Sequence, residues 1–142
     1  MGASTATMDK PRFGIVQSYA LVFGIAYIAV ALLEDILGGN GLKIGGTTIL
    51  MVTVVQNAIH WIVGLAVLGS FFAGEATAKL VARVVGVVFV LVTLLGFFVE
   101  PLTGKLLGFS GSLPMTYNIV HLLTAAAALF AGFAASRAYG RS

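Results

Sequence analysis

The stretch Leu80-Val81-Ala82-Arg83-Val84-Val85-Gly86-Val87-Val88-Phe89-Val90-Leu91-Val92-Thr93-Leu94-Leu95-Gly96-Phe97-Phe98-Val99 decides the fold. Its one charge, Arg83, sits near the start, and nothing ionisable follows until Glu100. A helix needs about 20 predominantly apolar residues to cross the hydrocarbon of a bilayer. This run supplies them without interruption, and Glu100-Pro101 closes it, because a residue before proline is pushed out of helical conformation.

Three further runs of the same kind surround it. They cover about Gly14 to Ile36, Thr48 to Phe72 and Pro114 to Ala135. Gly38-Gly39-Asn40-Gly41 ends the first, and a polar linker from Gly74 to Lys79 follows the second. Ser112 and Pro114 have the form of a helix start, a capping serine with a proline in the first turn. The first run also resembles a signal peptide, with basic residues before it and Ala29-Val30-Ala31 as a cleavage-like triplet. Its counterpart later in the chain favours a retained span.

Composition agrees. Charged residues make up 9% of the 142-residue chain and hydrophobic residues 59%, where a soluble domain carries roughly 25% charged residues. So few charges cannot cover a water-facing surface. There are no cysteines, which excludes disulfides, thiolate metal sites, cysteine nucleophiles and cysteine lipidation. The basic residues are too few and scattered for nucleic acid.

Lysine and arginine set orientation. Lys10, Arg12, Lys79, Arg83, Arg137 and Arg141 fall on one side, Lys43 and Lys105 on the other. This predicts a multi-pass protein of the inner (plasma) membrane with both termini cytoplasmic, residues 1–13 and 136–142 being short tails. Glu34, Asp35 and Glu100 then form an acidic cluster at the outer face.

The chain also repeats. Val55-Gln56-Asn57-Ala58-Ile59-His60 recurs as Thr116-Tyr117-Asn118-Ile119-Val120-His121, and Leu33-Glu34 matches Val99-Glu100. Two helix pairs of like orientation predict an all-α bundle of four membrane helices, made of two tandem parallel repeats. Helical spacing puts polar and small residues on one face of each helix. These are Gln17, Ala20, Gly24, Tyr27, Ala31 and Glu34 on the first, and Thr53, Asn57, His60 and Gly64 on the second. Gly86, Thr93, Gly96 and Glu100 follow on the third, and Asn118, His121, Ala125, Ala128 and Gly132 on the fourth. Those faces are expected inward.

His60 and His121, each one turn after Asn57 or Asn118, make a polar centre at membrane depth. The structural reading is a set of hydrogen bonds, Asn to His or across to the first and third helices, contributing roughly 0.6–2 kcal/mol each. The alternative is a b-type haem with His60 and His121 as axial ligands, its propionates reaching Lys43 or Lys105. A divalent metal is less well served, since only two nitrogens converge. A third reading is transport or proton relay through the acidic outer face, in an oligomer. Trp61 follows His60 and is expected to pack on a neighbouring face. No catalytic or metal-binding set is expected. The expected partners are lipid, and a membrane protein or further copies of the chain.

Gln56-Asn57-Ala58-Ile59-His60-Trp61-Ile62-Val63-Gly64 and Tyr117-Asn118-Ile119-Val120-His121-Leu122-Leu123 resemble the paired Asn-x-x-His-Leu stretches of a bacterial membrane family, domain-of-unknown-function family 4383. Gly86 to Phe97 is similar to its glycine-spaced helix. Trp61 and Ile62 replace the family's Leu-Leu, and Ala125 stands in place of a glycine. The resemblance implies a four-helix integral membrane protein of unassigned activity and carries over no catalytic residue.

Overall fold

The computed structural model describes residues 13–38, 41–110 and 114–135. Five helices and one hairpin follow in the order α1 (Ile15–Leu37), β1 (Leu42–Ile44), β2 (Thr47–Leu50), α2 (Val54–Ala73), α3 (Glu75–Phe98), α4 (Glu100–Leu106) and α5 (Met115–Phe133). Helices α1, α2, α3 and α5 are each long and apolar enough to cross a membrane. Large apolar residues such as Val22, Ile25, Ile62, Leu91, Leu123 and Phe130 lie on the outside. Water would not tolerate such a surface, and lipid does. This is a multi-pass helical membrane protein.

The interior is built from small residues. Ala20, Ala31, Ala82 and Ala128 are fully enclosed, and glycines bring the helix backbones together. A Cβ on Gly24 would stand 2.7 Å from the backbone nitrogen of Leu68, closing α1 on α2. One on Gly86 would meet the Leu129 side chain at 2.7 Å, closing α3 on α5. Lipid is as apolar as leucine, so helices in a bilayer associate by close packing and not by hiding apolar area. The densest packing accordingly joins α1 to α2 and α3 to α5, while α2 meets α3 more thinly. Helical hydroxyls turn back on their own helices: Ser70 donates to the Val67 carbonyl at 2.6 Å and Thr93 to the Phe89 carbonyl at 2.7 Å.

Several expected boundaries move. The second span does not begin at Thr48. Residues 42–50 form an antiparallel hairpin instead, with Ile44 opposite Thr47 and Lys43 opposite Thr48. Its turn is Gly45-Gly46, both at positive φ (58° and 82°), the pair a tight two-residue hairpin requires. The fold is all-helical, and this small hairpin is confined to the connection between α1 and α2. Helix α2 starts where Thr53 caps it, accepting from the Gln56 amide at 3.1 Å.

The expected linker 74–79 is mostly helix. Gly74 alone separates α2 from α3, turning the chain at φ 101°, and Lys79 pairs with Glu75 at 3.2 Å one turn apart. The third span ends at Phe98, and Pro101 begins the short α4 instead of ending helical structure. Pro114 is the residue flanking α5, and α5 closes at Phe133. Ser112 and the tail residues Lys10, Arg12, Arg137 and Arg141 lie outside the described residues.

Two contacts tie the hairpin end together. The Tyr117 hydroxyl accepts from the Met51 amide at 2.8 Å and donates to the Met51 carbonyl at 2.7 Å. The Thr53 hydroxyl donates to the Leu107 carbonyl. At the opposite end, Arg83 Nε donates to the Gly132 carbonyl at 2.8 Å, and its guanidinium lies 4.6 Å from the Phe133 ring centroid.

Candidate functional site

Each spanning helix contributes one ring to the centre of the bundle. His60 on α2 stacks on Tyr27 of α1 at 6.3 Å. Tyr27 stacks on Phe89 of α3 at 6.0 Å, the planes within 6° of parallel. Phe89 meets His121 of α5 at 5.4 Å. The glycine seams make this column possible: a Cβ on Gly64 would stand 3.1 Å from the Tyr27 Cβ. Offset ring pairs of this kind contribute about 0.5–1.5 kcal/mol beyond the area they bury.

The two imidazoles are thus linked through Tyr27 and Phe89. The Nδ1 atom of each is enclosed and has no hydrogen-bond partner among the described residues. Both histidines also line one cavity together with Phe89. Among the described residues no group of three or more His, Cys, Asp or Glu side chains could hold a metal ion.

The asparagines do not bond to their histidines. Asn57 Nδ2 donates across to Asp35 Oδ1 of α1 at 2.5 Å, and Trp61 Nε1 donates to Asp35 Oδ2 at 3.0 Å. Asp35 is therefore an acceptor shared by two residues one turn apart on α2. Trp61, expected only to pack, is an anchoring donor. That role was readable in the i, i+4 spacing of Asn57 and Trp61, two donors on one face. Asn118 is 1% exposed and its Oδ1 has no partner among the described residues. Gly96 makes room for it, since a Cβ there would lie 2.0 Å from that oxygen.

The three acidic residues do not share one environment. Glu34 is 4% exposed, with both carboxylate oxygens enclosed and unpartnered among the described residues. Asp35 is exposed and holds α2, and Glu100 is exposed at the start of α4.

A cavity of about 420 Å³ opens along the seam between α2 and α3. Gln56, His60 and His121 are its polar side chains, and residues such as Val81, Val85 and Phe89 make the rest apolar. No periodicity pointed to it. It lies on the seam between the two glycine-closed helix pairs, where Ile62, Leu80 and Val84 line the gap in place of glycines.

Trp61 is the only tryptophan, so its emission reports on the Asp35 site. Asp35→Ala is expected to shift that emission to the red and to lower stability by about 1 kcal/mol, since two hydrogen bonds to a charged acceptor are lost at an exposed position. An unshifted spectrum would remove the contact from the account.

No protein-family model, curated protein or solved structure matches the chain.

Proposed function

We propose that this chain is a non-enzymatic module of the bacterial cytoplasmic membrane, an accessory or scaffolding component that binds partner helices through its lipid-facing surfaces. The observation that carries the reading is the chain of ring contacts at the centre. His60 stacks on Tyr27, Tyr27 on Phe89, and Phe89 meets His121, so the four spans are fixed to one another through their rings, as suits a packed scaffold. What remains available to a partner is the outside, and there the apolar side chains of all four spans are exposed.

A parallel duplication and a place in domain-of-unknown-function family 4383 belong to the same proposal. Contacts support the duplication: Gly24 lies on Leu68 as Gly86 lies on Leu129, and Tyr27 corresponds to Phe89. In this register Glu34 corresponds to Gly96, and the match of Leu33-Glu34 with Val99-Glu100 is not the one the packing follows. Both termini and the Gly74 junction are assigned to the cytoplasm by the lysine and arginine bias.

The absence of cysteine makes single-cysteine variants a direct test in cells. Ala76→Cys is expected to resist a membrane-impermeant maleimide until the cells are opened, and Ser110→Cys to react from outside; the reverse pattern rejects the topology. Photo-crosslinkers attached at Ile25→Cys and Phe130→Cys are expected to yield a discrete adduct with another membrane polypeptide. Adducts with lipid alone, or only with further copies of this chain, would reject the scaffolding role. So would robust substrate turnover by the purified protein.

A further inference from the structure

We infer that the slot between α2 and α3 is a binding site for a lipid-soluble quinone, its ring held against His60 and His121 and its chain lying along the seam into the bilayer. The slot is long. On α2 it reaches from Gln56 to Ala66 and on α3 from Leu80 to Val92, about 15–18 Å at the rise of about 1.5 Å per residue. Its volume of about 420 Å³ falls within the roughly 300–1,000 Å³ usual for small-molecule sites.

Polarity is distributed unevenly along it. Gln56, His60 and His121 stand toward the hairpin end, and everything from Val63 and Ala66 to Leu80 and Val84 toward the Gly74 end is apolar. That pattern asks for a molecule with a hydrogen-bonding head and a hydrocarbon tail. Charge narrows the head. The lining holds no lysine, arginine, aspartate or glutamate, so an anionic lipid or a cationic amine would have its charge unpaired in a low-dielectric site. A neutral head bearing carbonyl or hydroxyl groups is left, and an imidazole can donate to the one or accept from the other.

His121 is the independent sign that a ligand belongs here. It is 9% exposed and lines the slot; its Nδ1 is enclosed and without a partner among the described residues, which leaves Nε2 as the ring nitrogen that meets a head group in the slot. Enclosed polar groups are ordinarily bonded. The neighbouring Phe89, 6% exposed and 5.4 Å from the His121 ring, gives the head a flat apolar wall, which suits a planar ring. The slot's mouth opens to lipid between Ile62, Val84 and Val88, so such a molecule enters directly from the bilayer. The inference is independent of any protein partner.

The test uses the purified full chain in nanodiscs and a benzoquinone carrying a decyl tail, read by quenching of Trp61, which lies between His60 and Ile62 of the lining. Quenching is expected to saturate. His121→Leu, which removes the head's partner, and Val84→Phe, which fills the mouth, are each expected to weaken apparent affinity by about tenfold. Val87→Phe, exposed on α3 but outside the lining, is expected to change nothing. Helicity measured on each variant separates lost binding from lost fold. Quenching that rises linearly without saturation, or that is equal in Val84→Phe, overturns the site. Decanol displacing the quinone with equal affinity overturns the assignment of its ring.

Discussion

Gly24→Val is expected to cost about 3 kcal/mol and to open the α1–α2 pair, whereas Gly69→Val is expected to stay within about 0.5 kcal/mol of the unaltered protein. The difference comes from what each new side chain would meet. At Gly24 a Cβ would lie 2.7 Å from the Leu68 nitrogen and 2.8 Å from its Cα. Those are backbone atoms of a helix and cannot swing aside, so the whole of α2 has to move. Moving it pulls Gly64 away from Tyr27 and His60 from the ring column. Gly69, on the same helix as Leu68, has nothing within 4 Å. Reversible unfolding in mixed micelles measures both. Equal losses at the two positions would mean that helix propensity and not close approach governs them.

Gly132→Val is expected to cost about 2–3 kcal/mol at the other seam. Its Cβ would lie 2.8 Å from the Arg83 Cγ, 3.0 Å from the Arg83 nitrogen and 3.3 Å from the Lys79 carbonyl oxygen. The Arg83 side chain can shift, but the α3 backbone behind it cannot. Arg83→Ala removes the bond to the Gly132 carbonyl and the guanidinium over Phe133 while leaving the space open, and is expected to cost about 1–2 kcal/mol. Both substitutions act through one contact, so the double variant should lose less than the sum of the two. Strict additivity would show that Arg83 and Gly132 do not act together.

Much of the bundle was legible because a bilayer constrains a sequence more tightly than water does. The inward faces read from helical spacing hold on α5 and, except at Gln17 and Glu100, on α1 and α3: Ala20, Gly24, Tyr27, Ala31 and Glu34 are buried, as are Gly86, Thr93 and Gly96, and Asn118, His121, Ala125, Ala128 and Gly132, whereas Gln17 is half-buried and Glu100 is exposed in α4. On α2 the buried set is Gln56, Gly64, Val67 and Ser70, while Thr53, Asn57 and His60 are half-buried. Gly64 packs on Ile28 and Tyr27 of α1, while Gln56 and His60 line the α2–α3 seam. The rotation of a helix is invisible in a periodicity, which fixes the relative positions on a face but not how the face is aimed.

The boundary errors have a different origin. Residues 48–53 are apolar enough to join a span, but Gly45-Gly46 nucleates a hairpin and the Thr53 cap delays α2 to Val54. Hydropathy averages over a window and so overlooks a two-residue turn. Residues 75–79 are polar enough to suggest a linker, but the Glu75–Lys79 pair and two alanines carry α3 into them.

The amino-acid sequence by itself determined which segments belong in lipid, because transfer into a bilayer is close to a sum over residues and needs no knowledge of neighbours. It also marked His121 and Asn118 as inward polar groups, because a polar side chain in an apolar span is costly toward lipid. Only the tertiary structure decided that Asn57 bonds to Asp35 and not to His60, that the two histidines are linked by ring contacts through Tyr27 and Phe89, and that the seam left open is the one between α2 and α3. Those outcomes depend on helix rotation and on approaches so close that a Cβ added at Gly24, Gly64, Gly86 or Gly132 would stand 2.7–2.8 Å from its nearest neighbour. Contacts of that range are properties of pairs of helices, and no single helix's sequence contains them.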